Sequence, residues 1–131
     1  MADPSPRSID NRGYHAHVYY DAATKPVAER VCAALQEKFP VEFGGFRDEP
    51  VGPHPISNAR ATFTPDQFQN IVPWLMMHHE GLAVLIHALT DDSVADHSSR
   101  ALWLGTPVPM KLEVLRPQYS KELLPTEARA G

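Results

Sequence analysis

The chain has 131 residues, of which 43% are hydrophobic and 21% are charged, and its formal net charge is −4. This composition predicts one globular domain that needs no disulfide or structural metal, and it gives no reason to expect binding to nucleic acid or to an anionic membrane. One cysteine, Cys32, excludes an internal disulfide, residues 1–11 do not resemble a signal peptide, and no apolar stretch approaches the ~20 residues that span a bilayer. We therefore expect a cytoplasmic protein.

The predicted elements begin with a strand and a helix. After a flexible leader over residues 1–12, the run Tyr14–Tyr20 alternates and is rich in aromatic and β-branched residues, which predicts a strand. Residues 24–39 place apolar side chains at every fourth position with charged side chains between them, which predicts an amphipathic helix. Pro40 should end this helix because a proline disfavours helical angles at the residue before it.

The next segment predicts two short strands and the start of a second helix. Glycines and prolines interrupt residues 43–55, so regular strands are expected only at 41–46 and at 57–63, with a rigid loop between them. The helix should begin at Thr64, since Thr64, Pro65 and Gln67 form a capping-box pattern.

The second helix has an apolar stripe and an internal proline. Pro73 should kink or divide the helix, and Gly81 offers a C-terminal cap. Residues 82–89 follow as a nearly continuous apolar run of strand length, typical of a strand that is covered on both faces. The stripe consists of Phe68, Ile71, Val72, Leu75 and Met76.

This order of elements predicts an α+β protein with a ferredoxin-like βαββαβ fold, in which two helices cover one face of a four-stranded antiparallel sheet. The other face of the sheet would be bare. A second subunit, which would give a dimeric α/β barrel, can cover it, and so can Trp103, Leu104 and residues 107–115. We expect the domain to span residues 13–117 and a weakly structured tail to occupy residues 118–131.

Five of the seven histidines form a candidate site. His15 and His17 are two residues apart on the first strand and should share one face. His54 lies between two prolines, His87 lies on the last strand and His97 follows it, and their side chains can open onto the same surface even if the first and last strands are not neighbours.

Alternatives to a metal site stay open at this point. His87 alone is typical of a core histidine, and the His15–His17 pair is equally typical of an exposed strand face. Several imidazoles together favour a divalent transition metal, although the spacing matches no compact zinc motif. His78 and His79 are expected to be exposed or to cap the second helix, outside the site.

Four motifs in the right order resemble the DOPA 4,5-dioxygenase family. The resemblance covers roughly residues 14–115 and implies a ferredoxin-like fold and extradiol cleavage of a catechol such as L-DOPA at a non-haem iron centre. The family usually has His-Pro at the position where this chain has His87-Ala88. The alanine in place of the proline would loosen the end of the strand. The motifs are YHAHVYYD at 14–21, PVGPHP at 50–55, LAVLIH at 82–87, and DDSVADH at 91–97 with ALWLG at 101–105.

The resemblance also implies roles for the histidines. A catechol and dioxygen occupy several positions on the metal, so about three protein ligands suffice, and we expect Fe(II) to be bound by His17, His54 and His87. Zinc or another divalent metal is an alternative. His15 and His97 are the expected acid and base, because a histidine can take up or release a proton near neutral pH.

The remaining predicted roles are less specific. Many non-haem iron sites contain a carboxylate, so Asp96 or Glu49 can replace one histidine ligand. Arg60 or Arg100 would bind the carboxylate of the substrate, and Tyr20 or Trp103 would line its ring. The expected partners are therefore a catechol, dioxygen and a second copy of the chain. The alternative function is a non-catalytic protein of the same fold that binds a metal or a small molecule at these histidines.

Overall fold

The computed structural model describes residues 11–115, so the predicted tail and all but the end of the predicted leader lie outside the described residues. Two short 3₁₀ turns, Pro65–Gln67 and Leu112–Val114, accompany the main elements. These are, in chain order, β1 (Tyr14–Tyr19), α1 (Lys25–Lys38), β2 (Glu42–Arg47), β3 (Asn58–Phe63), α2 (Phe68–His78), β4 (Val84–Ala88), α3 (Ser93–Asp96) and β5 (Ala101–Leu104).

The strands form one antiparallel sheet in the order β2-β3-β1-β4-β5. This mixed α+β architecture is consistent with the predicted ferredoxin-like fold. The prediction of four strands was wrong, because residues 101–104 add a fifth strand beside β4. The sequence Ala-Leu-Trp-Leu is too short to show alternation by itself, and its pairing with β4 is what makes it a strand.

The hydrophobic core lies between the sheet and the two long helices. Ala16 and Val18 on β1 point into it, together with Ala59 and Ala61 on β3. The helices contribute Val31 and Leu35 from α1 and Ile71 and Leu75 from α2, all at most 2% exposed. Because strand side chains alternate, this packing turns His15 and His17 towards the opposite face of the sheet.

The first helix follows the prediction and the second differs from it. Phe39 leaves α1 in an extended conformation immediately before Pro40. The predicted capping box was wrong: the Thr64 side chain makes no capping hydrogen bond, residues 65–67 form a 3₁₀ turn, and α2 begins at Phe68. The Thr64 hydroxyl donates to Asp66 instead. Pro73 lies inside α2 without dividing it.

The face of the sheet opposite the helices is covered by the same chain. The loop that contains Pro53 and His54 lies over β1, and Lys111 N–H donates to Pro53 O at 2.8 Å, which joins residues 105–115 to this loop. Leu85, on this face of β4, is fully buried. A second subunit is therefore not needed to cover the histidines. Within residues 11–115, no helix is long and apolar enough to cross a membrane.

Candidate metal centre

Five histidines meet on the face of the sheet opposite the helices, and each is at most 6% exposed. Two lie on β1, one on the loop before β3, one on β4 and one directly after α3. We call these residues the histidine cluster; they are His15, His17, His54, His87 and His97.

Direct pairing of β1 with β4 creates the centre of the cluster. His15 lies opposite His87 in the strand register, and His17 lies two residues further along β1. The ring centroids of His17 and His87 are 5.1 Å apart, and those of His15 and His87 are also 5.1 Å apart. The sequence allowed these strands to be separated, whereas the structure makes them neighbours.

The other two histidines come from loops that fold over the sheet. The ring of His54 lies 4.0 Å from that of His17, and the ring of His97 lies 4.1 Å from that of His87. His97 is held in place because Asp92 accepts the N–H of Ala95 at the start of the short helix α3, and His97 follows that helix.

Two groups of three histidines have ligand atoms within 4.8 Å of one another. One group is His15, His17 and His87, and the other is His17, His54 and His97. His17 belongs to both. The ligand set expected from the sequence, His17, His54 and His87, takes members from both groups, and neither group contains both His54 and His87.

Hydrogen bonds orient the ring nitrogens of four of these histidines. Nδ1 of His17 lies 3.0 Å from Asn58 Oδ1, and Nδ1 of His87 and of His97 each lie 2.8 Å from a backbone carbonyl, that of Ala88 and of Ser93. Because these oxygens only accept, each of the three rings has its proton on Nδ1 and a lone pair on Nε2. Nδ1 of His54 lies 2.7 Å from the hydroxyl of Tyr19.

The Nε2 atoms of His17 and His87 are close enough to share a cation. Nε2 of His17 and of His87 lie 3.2 Å apart, and both present lone pairs, so they repel each other unless a positive charge lies between them. Nε2 of His54 and of His97 are buried and have no hydrogen-bond partner among residues 11–115. Two nitrogen ligands of one metal, each ~2.0–2.1 Å from it, lie about 2.8–3.4 Å apart. The donor set therefore fits a divalent transition metal.

Burial keeps the cluster neutral at pH 7. It lowers the pKa of His15 and that of His54 from 6.5 to about 3, with smaller contributions from Arg60 and neighbouring histidines. Burial also lowers the pKa of His17, His87 and His97. Neutral imidazoles have the lone pairs that metal ligands need.

The two candidate carboxylates do not join the histidine groups. Both oxygens of Asp96 accept hydrogen bonds from Thr90, at 2.6 and 2.8 Å, and Arg100 lies 3.9 Å from one of them. Glu49 is exposed. Asp96 therefore holds the loop between β4 and α3, and both groups consist of histidine alone.

The two candidate arginines differ in position. Arg60 lies opposite His17 in the register of β1 and β3, and its charge contributes to the lowered pKa of His15 and His54. A Cβ on Gly44 would approach the Arg60 guanidinium to 3.0 Å, so the glycine leaves room for this side chain. Arg100 donates to Thr90 Oγ1 at 2.9 Å, within the loop that Asp96 holds.

The aromatic residues beside the cluster are Tyr19 and Trp103, and their rings stack with centroids 5.6 Å apart. Trp103 lies opposite Leu85 on the histidine face of the sheet. Tyr20, which the sequence also suggested, lies on the other face in the hydrophobic core, where its hydroxyl donates to Asp48 at 2.7 Å. Strand alternation thus brings Tyr19 to the cluster and takes Tyr20 away from it.

Two residues that orient the histidines, Tyr19 and Asn58, are not among those predicted from the sequence. Tyr19 shares the alternation of His15 and His17, so the pattern already contained the information needed to find it. Asn58 contacts His17 only because β3 pairs with β1, which no local pattern reveals. His78 and His79, which the sequence placed outside the site, lie at the end of α2: His78 stacks on Trp74, and His79 bonds to Leu82 O.

Comparison with known proteins places the chain in a family. The model of the Dopa 4,5-dioxygenase family matches residues 14–114. The chain belongs to this family. A crystal structure described as that of a "putative dioxygenase" from Nostoc punctiforme is 45% identical, with a TM-score of 0.80, over 82% of this chain and 94% of that one.

Two curated relatives are longer than the segments that match. An uncharacterized 21.2 kDa protein of Botryotinia fuckeliana is 30% identical over 115 residues, which cover 79% of this chain and 63% of that protein. The DOPA 4,5-dioxygenase of Amanita muscaria is 31% identical over 64 residues, which cover 49% of this chain and 28% of that enzyme. The match thus spans less than two thirds of either relative.

Proposed function

We propose that the chain is a metal-dependent extradiol dioxygenase that cleaves the ring of a catechol such as L-DOPA. The observation that supports it most directly is the 3.2 Å contact between two Nε2 lone pairs, those of His17 and His87, in a buried and neutral histidine cluster. Membership of a dioxygenase family supports the reaction class. Because the match covers less than two thirds of either curated relative, the activity of the whole protein is also part of this proposal.

In this proposal His17, His54 and His87 bind the metal, as the sequence motifs imply. Each can present Nε2 towards the cluster, and His17 is common to both three-histidine groups. Ferrous iron would supply a centre at which both oxygens of a catechol and dioxygen can be bound together. Residues of the chain then have to bind the substrate, exclude water and move protons.

His15 and His97 are the proposed proton-transfer residues. Nε2 of His97 is buried without a partner, and Nδ1 of the same ring donates to Ser93 O, so Nε2 can accept a proton from a catechol hydroxyl. Nδ1 of His15 is also buried without a partner and can donate or accept. Each has an open ring nitrogen, as a general acid or base requires.

Arg60 and Trp103 are the proposed substrate-binding residues. Arg60 is half-buried beside the histidines, where its guanidinium can pair with the carboxylate of an amino acid substrate. Trp103 and Tyr19 form an aromatic surface on the same sheet face, suited to contact with the ring of a catechol. Arg100 donates to Thr90 Oγ1 and Tyr20 lies on the opposite face of the sheet, so we assign these roles to Arg60 and Trp103.

Reconstitution tests this function. Protein loaded anaerobically with ferrous iron and then mixed with L-DOPA in air should give a yellow ring-opened product and consume one dioxygen per substrate. Zinc-loaded protein is the matched control, because it should bind the substrate without oxygen uptake. If iron-containing protein turns over no member of a catechol panel, the catalytic proposal fails.

A non-catalytic metal-binding protein is the second candidate. The observation in its favour is the all-histidine composition of both groups, since imidazole also suits zinc, copper and nickel. Elemental analysis of protein purified without a histidine tag distinguishes the two candidate functions. Iron favours the dioxygenase, whereas stoichiometric zinc with no oxygen uptake after exchange for iron favours the binding protein.

We also propose the homodimer, the cytoplasmic location and the 13–117 domain boundaries that the sequence suggested. Loops of the same chain already cover the histidines. In the proposed dimeric α/β barrel, the two subunits would therefore contact each other at the rim of the histidine face. Sedimentation velocity tests the dimer, and a monomer at micromolar concentration would contradict it.

A further inference from the structure

Tyr19 lies between the histidine cluster and the loops that cover it. Its side chain is 2% exposed, its hydroxyl lies 2.7 Å from Nδ1 of His54, and the same hydroxyl lies 3.5 Å from the sulfur of Met110. Its ring stacks on Trp103. Tyr19 therefore contacts His54 and Met110, which lie in loops, as well as Trp103 of β5.

The partner of His54 differs in kind from those of the other three oriented histidines. His17, His87 and His97 donate Nδ1–H to carbonyl oxygens, which can only accept. A second hydrogen bond at 3.5 Å, from the amide of Asn58 to Ile56 O, keeps Asn58 Oδ1 facing His17. A tyrosine hydroxyl can donate or accept, so the tautomer of His54 depends on the direction of the hydroxyl proton of Tyr19.

Met110 provides an acceptor for that proton. A thioether sulfur accepts hydrogen bonds and never donates them, so the Tyr19 hydroxyl can bond to Met110 and His54 at once only if its proton points to Met110. The hydroxyl oxygen is then free to accept Nδ1–H of His54. Nε2 of His54, which is buried without a partner, is left with its lone pair.

We propose that Tyr19 is the positioning residue of His54. Its hydroxyl donates to Met110 and accepts Nδ1–H of His54, and the lone pair on Nε2 of His54 is thereby directed into the cluster as a metal ligand. The role of His54 as a ligand rests on the proposed function; the hydrogen-bond pattern does not.

The first test measures the tautomer of His54 in metal-free protein at pH 7. Long-range ¹H–¹⁵N correlation spectra of histidine-labelled protein should show the Nδ1–H form in the wild type. Tyr19→Phe keeps the ring that stacks on Trp103 and removes the hydroxyl, so the Nε2–H form of His54 should rise. Tyr20→Phe is the matched control, because it removes a neighbouring hydroxyl that bonds to Asp48, and it should leave His54 unchanged.

Two outcomes of this test overturn the proposal. One is a wild-type protein in which His54 already carries its proton on Nε2. The other is a Tyr19→Phe variant whose His54 keeps the wild-type tautomer. Because neither spectrum requires a metal or a substrate, a failure here is distinct from a failure of the dioxygenase proposal.

The second test measures metal affinity. Loss of a residue that orients a metal ligand typically weakens binding by about 10–100-fold, and we expect Tyr19→Phe to weaken Fe(II) and Zn(II) binding by that factor. Tyr20→Phe should remain within about twofold of wild type. Equal metal affinities for Tyr19→Phe and wild type would contradict the proposed role, even if the variant loses activity for other reasons.

Discussion

The two faces of the sheet are built from alternate residues of the same strands, and they differ in the side chains that they bury. On β4, Ile86 points into the apolar core against the helices, and the next residue, His87, points into the histidine cluster. The helix face gains free energy from burial of apolar surface, whereas the histidine face buries neutral imidazoles with three ring nitrogens that lack partners. Stability is therefore concentrated on one face and the candidate metal ligands lie on the other.

The largest expected effect comes from the histidine shared by both three-histidine groups. His17→Ala should abolish stoichiometric metal binding, and His87→Ala should do the same, while both variants remain folded because the opposite face is untouched. Elemental analysis and circular dichroism measure the two properties. Full metal content in both variants would show that the ligand set is wrong.

The matched substitution on the other face should have the opposite consequence. Ile86 is 1% exposed, and Ile86→Ala should lower the free energy of unfolding by about 2–5 kcal/mol through lost burial and a residual cavity. Metal content per folded molecule should stay at the wild-type value. Urea denaturation followed by metal analysis of the native fraction checks this, and a joint loss of stability and metal would mean that the faces are not independent.

Acid should lower the stability of the fold by protonating the histidine cluster. The folded pKa of His15 and of His54 is about 3, below the unfolded value of 6.5, so the unfolded state binds more protons between these values. The stability that depends on neutral histidines is thus complete above about pH 6.5 and is lost as the pH falls towards 3. Urea midpoints of metal-free protein should decrease across this window, and His15→Phe should flatten the decrease.

The smallest expected effect concerns Ala88, the position at which the resemblance led us to expect a proline. Ala88 N–H donates to Arg100 O at 3.2 Å, so the loosened strand end expected from the sequence is held by a bond that proline cannot make. Ala88→Pro should cost about 1 kcal/mol of unfolding free energy. Metal affinity should not change, because Ala88 O still accepts the proton of His87. A tenfold loss of affinity would show that the backbone at residue 88 also sets the ligand geometry.

Local patterns predicted most of the fold and identified the five histidines that the structure brings together. Alternation in residues 14–20 and the apolar periodicity of residues 24–39 depend only on neighbouring residues, and the structure confirms both elements. The fifth strand was not predicted, because it forms only by pairing with β4. The start of α2 was predicted wrongly, because the Thr64 side chain bonds to Asp66 instead of capping the helix. The surroundings of Tyr20 and Arg100 also follow from the fold, since Tyr20 packs in the core and Arg100 bonds to Thr90.

The amino-acid sequence by itself determined which side chains share a strand face, which residues can bind a metal, and the family to which the chain belongs, because these follow from spacing and residue type. Only the tertiary structure decided that β1 pairs with β4, which sets His15 opposite His87 and brings Nε2 of His17 to 3.2 Å from Nε2 of His87. It also decided which hydrogen-bond partner orients each ring. The contacts of His17 with Asn58 and His87, and of Tyr19 with His54, join residues 35 to 70 positions apart, so no local pattern reveals them.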